Sequence, residues 1–165
     1  MKIQISPVLV LAAALWCGNV IAQNVEVKDA WARATVQGQK ASGAFMTLTA
    51  KTDTTLVGVA SSVAGLAQVH EMKMEGNVMQ MRALSDGLRL AAGKSVALQP
   101  GGFHLMLMDL KVPLKKDTTI PLTLRFKDAK GMESTLDLKV PVSTSAPGAE
   151  AGGHQHGMHD APAKP

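Results

Sequence analysis

The chain has 165 residues, of which 46% are hydrophobic and 18% charged, with a formal net charge of +4. That length suits one compact core and not two typical domains, and with no basic cluster interleaved with aromatics nucleic-acid binding has no support. The single cysteine, Cys17, excludes a disulfide framework.

Residues 1–22 predict an export signal, with Lys2 as the charged start, an apolar run over 8–16, and Val20 and Ala22 framing a small-residue cleavage site before Gln23. The run falls far short of the roughly 20 residues a membrane span needs. Trp16 stands directly before Cys17, where a lipoprotein signal wants a small residue. The expectation is therefore a soluble periplasmic protein with no membrane anchor. Cleavage also removes Cys17, so the mature chain has no thiol and must be stabilised by packing.

From residue 25 the chain reads as short, β-branched stretches punctuated by turn residues, with no sustained helical period. Strands are predicted over 25–35, 42–50, 55–61, 67–72, 78–83, 95–98, 103–110, 118–126 and 134–142. The breaks, among them Glu75-Gly76-Asn77 and Ser85-Asp86-Gly87, carry residues that tolerate turn dihedrals. Strands of this number and spacing predict an all-β antiparallel sandwich of Greek-key type over 23–142. Trp31 is expected as a core anchor, and the remaining core as aliphatic and Met-rich.

Residues 143–165 change to Ser, Ala, Gly and Pro and are expected to form a disordered tail. Within them His154, His156, Met158 and His159 make a second candidate metal site, an open segment whose imidazoles suit copper(II).

Before the tail there are only two histidines, His70 and His104, and each is followed by methionines at alternating positions. Residues two apart on a strand share a face, so His104, Met106 and Met108 project together. A hairpin turning at 75–77 would bring Met79 and Met81 back beside the first histidine strand, with Met81 near the level of His70. Met72, Met74 and Met79 are expected at the core or rim, and Met108 as a packing residue. His70, Met81, His104 and Met106 then deliver four donors to one end of the sandwich. Imidazole with thioether suits copper(I), whereas zinc prefers thiolate, imidazole or carboxylate and calcium demands oxygen. A blue-copper centre needs a Cys thiolate, which the mature chain lacks. Hydrolytic zinc chemistry needs a general base, and Glu71 alternates away from His70, so the chain is not expected to be an enzyme.

These residues resemble the PCu(A)C family of periplasmic copper chaperones, marked by a His, a Met and then a His-x-Met, here His70, Met81, His104 and Met106. Asp29-Ala30-Trp31-Ala32-Arg33, Gly43-Ala44-Phe45-Met46 and Pro100-Gly101-Gly102-Phe103-His104 fit as well. The Met81–His104 gap is one residue longer than the family's usual spacing, and the extra residue is expected near Ser85. The resemblance implies a cupredoxin-like sandwich holding copper(I) through two His and two Met. It further implies delivery to the dinuclear copper centre in the copper subunit of cytochrome c oxidase, with or without a thioredoxin-like copper chaperone between them. A periplasmic copper-buffering or resistance protein is the alternative.

Overall fold

A computed structural model describes residues 24–148. The expected leader, the mature start at Gln23, and His154, His156, Met158 and His159 lie outside the described residues.

Ten strands follow in chain order: β1 (Val25–Arg33), β2 (Ala41–Ala50), β3 (Thr54–Ala60), β4 (Ala64–Glu75), β5 (Val78–Ala83), β6 (Leu88–Leu90), β7 (Ser95–Leu98), β8 (Phe103–Leu110), β9 (Thr119–Asp128) and β10 (Glu133–Ser143). The described residues contain no helix. Nine strands fall on predicted stretches. β6 has no predicted counterpart because Leu88-Arg89-Leu90 is too short for an alternation to be read, although both leucines are buried.

The strand order is β5-β4-β8-β7-β2-β1-β10-β9-β3-β6. The first six strands make one layer of the cupredoxin-like sandwich and the last four the other. They join where β1 runs parallel to β10 through Ala32↔Val142 and Arg33↔Ser143. Apart from that seam and the single parallel contact Leu98↔Phe103, every pairing is antiparallel. β7 and β8 divide one flank of β2 between them: β7 pairs with residues 46–49 and β8 with residues 41–44. The turn between β7 and β8 is thereby held beside the middle of β2.

Alternation decides which side chains meet between the layers. Leu48, Leu56, Leu98, Leu105, Leu107, Leu122, Leu124 and Val140 are fully buried there, and removing apolar area of this kind from water is the main favourable term in folding. Methionine contributes little: Met46 is the one Met in this cluster, so the expected Met-rich core is corrected to an aliphatic one. Trp31 is likewise relocated. It is buried, but against Phe45 at a ring separation of 4.7 Å and outside the central cluster. A bulge between Lys28 and Trp31, with Asp29 at φ 51°, shifts the alternation and turns the indole to the outer face.

Gly87, in the turn before β6, has φ +78°, and a Cβ there would lie 2.5 Å from the Leu56 carbonyl oxygen. Gly87→Ala therefore combines left-handed backbone strain with a backbone clash. It should lower unfolding free energy by about 2 kcal/mol or more in denaturant melts. An unchanged midpoint would mean that this turn does not pack as described.

Candidate functional site

Burial of Val69, Leu105 and Leu107 between the layers sends their strand neighbours to the other side of the sheet. His70, opposite His104, and Gln68, opposite Met106, therefore share the outer face with both partners. β5 adds Met81 opposite Met72 and Ala83 opposite His70. The candidate donors thus gather on the outer face of one sheet, close to the end at which β8 begins. The expected level of Met81 is also corrected. The two-residue turn Gly76-Asn77 makes Glu75↔Val78 the first pair, which sets Met81 one step along from His70. The β4–β5 register runs unbroken from His70↔Ala83 to Glu75↔Val78.

Met81 still reaches His104. Its side chain crosses over β4, bringing Sδ to 3.2 Å from His104 Nε2. The other ring nitrogen of His104 lies 3.1 Å from the Gly102 carbonyl, which can only accept, so in the neutral imidazole Nδ1–H donates there. Nε2 is then unprotonated, and two lone-pair donors face each other with no proton between them. That leaves a place for a shared cation. His104 itself is buried.

His70 is oriented by the same logic. Its Nε2 lies 3.3 Å from Gln68 Oε1, an acceptor, so Nε2 carries the proton. Nδ1 is buried with no hydrogen-bond partner, a state that costs stability unless something occupies it. Burial, and then the neighbouring His104, hold the His70 imidazole below its ordinary pKa, so its lone pair stays free to lower pH than an exposed histidine's. The two rings lie 5.8 Å apart between centroids, a distance two imidazoles can keep while each bonds one ion at about 2 Å.

Met72, Met81, His104 and Met106 line a cleft of about 300 Å³, with Phe45 and Arg33 among the residues opposite. His70 stands beside this cleft and not in its wall. The Arg33 guanidinium lies 5.5 Å above the Phe45 ring. Among the described residues no three His, Cys, Asp or Glu side chains converge; the cleft itself brings together the imidazole of His104 and the thioethers of Met72, Met81 and Met106. Glu71 is turned to the opposite face, where Arg82 holds it at 3.0 Å.

Sequence reasoning missed Gln68 and the Gly102 carbonyl, which fix the ring tautomers. Gln68 was readable as the residue two before His70 on the same strand face; the Gly102 carbonyl left no signal in side-chain types. Met74 and Met79, expected at the core or rim, are largely exposed. Met108 is half-buried opposite Ala41 and Leu66.

An outer-face cluster of paired imidazoles and thioethers on a cupredoxin-like sandwich defines the class: a small β-sandwich built to present soft donors. The chain matches the family described as "Putative lipoprotein LpqE-like" over residues 25–142, and it belongs to that family. It is 37% identical over 121 residues to "Putative lipoprotein Lxx21020" of Leifsonia xyli subsp. xyli, covering 73% of this chain and 70% of that protein. Among solved structures it is similar to the copper(I) form of DR1885 from Deinococcus radiodurans. That match has a TM-score of 0.59 and 29% identity, over 77% of this chain and 83% of the other. The copper-bound PCuAC domain from PmoF2 shares the fold, with TM-score 0.54 and 24% identity over 73% and 94% of the two chains. The resemblance to PCu(A)C proteins read from the sequence is thus borne out, as is the cupredoxin-like fold.

The Phe45 ring folds back over Gly43, where a Cβ would lie 2.6 Å from its tip, and Gly43 sits opposite Met106. Gly43→Ala should push the ring away from Trp31 and into the cleft. Trp31 emission should change in the folded protein while all four candidate donors stay in place. An emission spectrum identical to that of the unsubstituted protein would show that the ring has room to spare.

Proposed function

We propose that the protein is an exported, non-enzymatic copper(I) chaperone whose ion is held by His70, Met81, His104 and Met106. The observation that carries this reading is the apposition of His104 Nε2 and the Met81 sulfur beside the orphaned His70 Nδ1, with the other His104 ring nitrogen turned to the Gly102 carbonyl. Lone pairs on borderline nitrogen and soft sulfur, with no thiolate or carboxylate, match copper(I). The copper-bound state of the PmoF2 domain and the copper(I) form of DR1885 support the same cargo. Because every ligand is neutral, the ion keeps its single positive charge. Thioethers neither titrate nor form disulfides, which suits reversible holding in an oxidising compartment.

The destination is the dinuclear copper centre of the cytochrome c oxidase copper subunit, reached directly or through a thioredoxin-like copper chaperone. The setting is the periplasm, with the chain released from its leader without an anchor. The names of the family and of the relative point to lipoproteins. Mass measurement of the mature chain decides between the two: a free Gln23 terminus fits release, and a lipid-modified Cys17 contradicts it.

Transfer is tested by mixing the copper(I)-loaded protein with an apo oxidase copper domain. Stoichiometric movement of copper supports the chaperone, and retention by the donor protein favours a buffering or resistance role.

Met81→Leu and Met106→Leu each remove a sulfur while nearly conserving volume, at a cost below about 1.5 kcal/mol. Copper(I) affinity should fall with little change in melting temperature. Retained affinity with a collapse in stability would make these methionines packing residues.

We also propose that the tail residues His154, His156, Met158 and His159 capture copper, including copper(II), and raise its effective concentration at the sandwich. Removing residues 149–165 should abolish a weaker copper(II) binding event and spare the copper(I) site. Binding should also become less sensitive to pH near 6, because each tail imidazole must lose a proton to bind. Unchanged copper(II) stoichiometry after truncation would leave the tail without this role.

A further inference from the structure

The β4–β5 hairpin runs past the start of β8. Beyond Glu71 its strand partner is β5, apart from one backbone bond in which Met72 N–H donates to the Gly102 carbonyl at 3.1 Å, and β5 is the edge of the sheet. On this overhang the side chains are sorted by face. Glu71, Lys73, Gln80 and Arg82 take one side, and Met72, Met74, Met79 and Met81 take the other. The methionines form two directly opposed pairs, Met72↔Met81 and Met74↔Met79. Directly opposed residues have Cβ atoms about 4.5–5.5 Å apart, within easy reach of two thioethers that share an ion.

Packing does not account for the outer pair. Met74 is 59% exposed, Met79 49% and Met81 50%, and every residue of β5 is exposed. Edge strands are ordinarily guarded by charge, and a run of exposed apolar side chains there carries an association hazard. On this hairpin the charges are confined to the opposite face. The sulfur face leads without a break from the hairpin tip, through Met72 and Met81, into the cleft that holds His104 and Met106.

We infer that Met74 and Met79, with Met72 between them and the cleft, form a second, thioether-only station for a soft monovalent cation. It would serve as the port through which the ion reaches and leaves the His70–His104 site. Thioethers select copper(I) and its analogues over harder ions. A station of sulfur alone lacks the two imidazoles of the inner site, so it is the weaker of the two and fills second. Passage between the stations is ligand exchange at constant oxidation state. The ion releases Met74 or Met79 as it gains Met81 and then His104, with Met72 in contact throughout, and no electron or proton changes hands. This inference rests on the soft-cation reading of the inner site and adds to it a route and a second stoichiometric equivalent.

The test is a silver(I) titration of the full mature chain carrying ¹³C-methyl methionine, with each methyl signal assigned by substitution. Silver(I) is a redox-inert probe, and residue-by-residue signals keep the tail's Met158 from being confused with the hairpin. The first equivalent should shift Met81 and Met106, and the second Met74 and Met79. Met74→Leu with Met79→Leu should abolish the second set of shifts and leave the first intact. The inference is overturned if Met74 and Met79 stay unmoved after Met81 and Met106 have saturated, an outcome that leaves the inner site standing. It is also overturned if all four methyls move together with the first equivalent, since there would then be one site. Shifts at Met74 and Met79 without any at Met81 or Met106 would support the hairpin station and overturn the proposed inner site.

Discussion

The site depends on the burial of Val69, Leu105 and Leu107 between two sheets. Because a strand alternates its side chains, committing those three to the core commits His70, His104 and Met106 to the outer face. The antiparallel register of β4 and β8 then sets the two histidines directly opposite each other. A one-residue slip would bury imidazoles among leucines and expose the leucines, so the core that stabilises the fold also enforces the arrangement of the donors.

What the backbone cannot set, hydrogen bonds do. Gly102 fixes one tautomer of His104 and Gln68 the opposite tautomer of His70, so different ring nitrogens, Nε2 and Nδ1, are left with free lone pairs. The surroundings are arranged around that asymmetry. Phe45, packed at a tilt against Trp31 and folded over Gly43, lines the cleft, and the Glu71–Arg82 pair keeps the neighbouring carboxylate on the other face. Ligands that are neutral and already oriented need little reorganisation, which suits an ion that must be taken up and given away.

Much of this was legible in the sequence, for identifiable reasons. Nine strands could be read because their alternation is long enough and their turns are marked by Gly, Asn and Asp; β6 follows a marked turn at Asp86-Gly87, but its three residues are too few for an alternation to show. The pairing of two His-x-Met-like stretches was visible as residue types at period two. Their placement on the outer face was less legible, since alternation gives two faces without saying which is the core. The bulge at Asp29 hid the position of Trp31, because an extra residue inverts the alternation and an aspartate at positive φ leaves little mark in composition. The level of Met81 turned on whether the hairpin loop holds two residues or three. Glu75-Gly76-Asn77 permits either, and the observed two-residue turn decided it.

In the proposed loaded state one copper(I) is shared between two imidazoles and two thioethers on the outer face of the sandwich. X-ray absorption at the copper edge, on the mature protein loaded with a single equivalent of copper(I), tests it most directly. The copper should show two nitrogen and two sulfur scatterers, with one sulfur lost in Met81→Leu. A shell of nitrogen alone, or a sulfur count unaffected by that substitution, would contradict it.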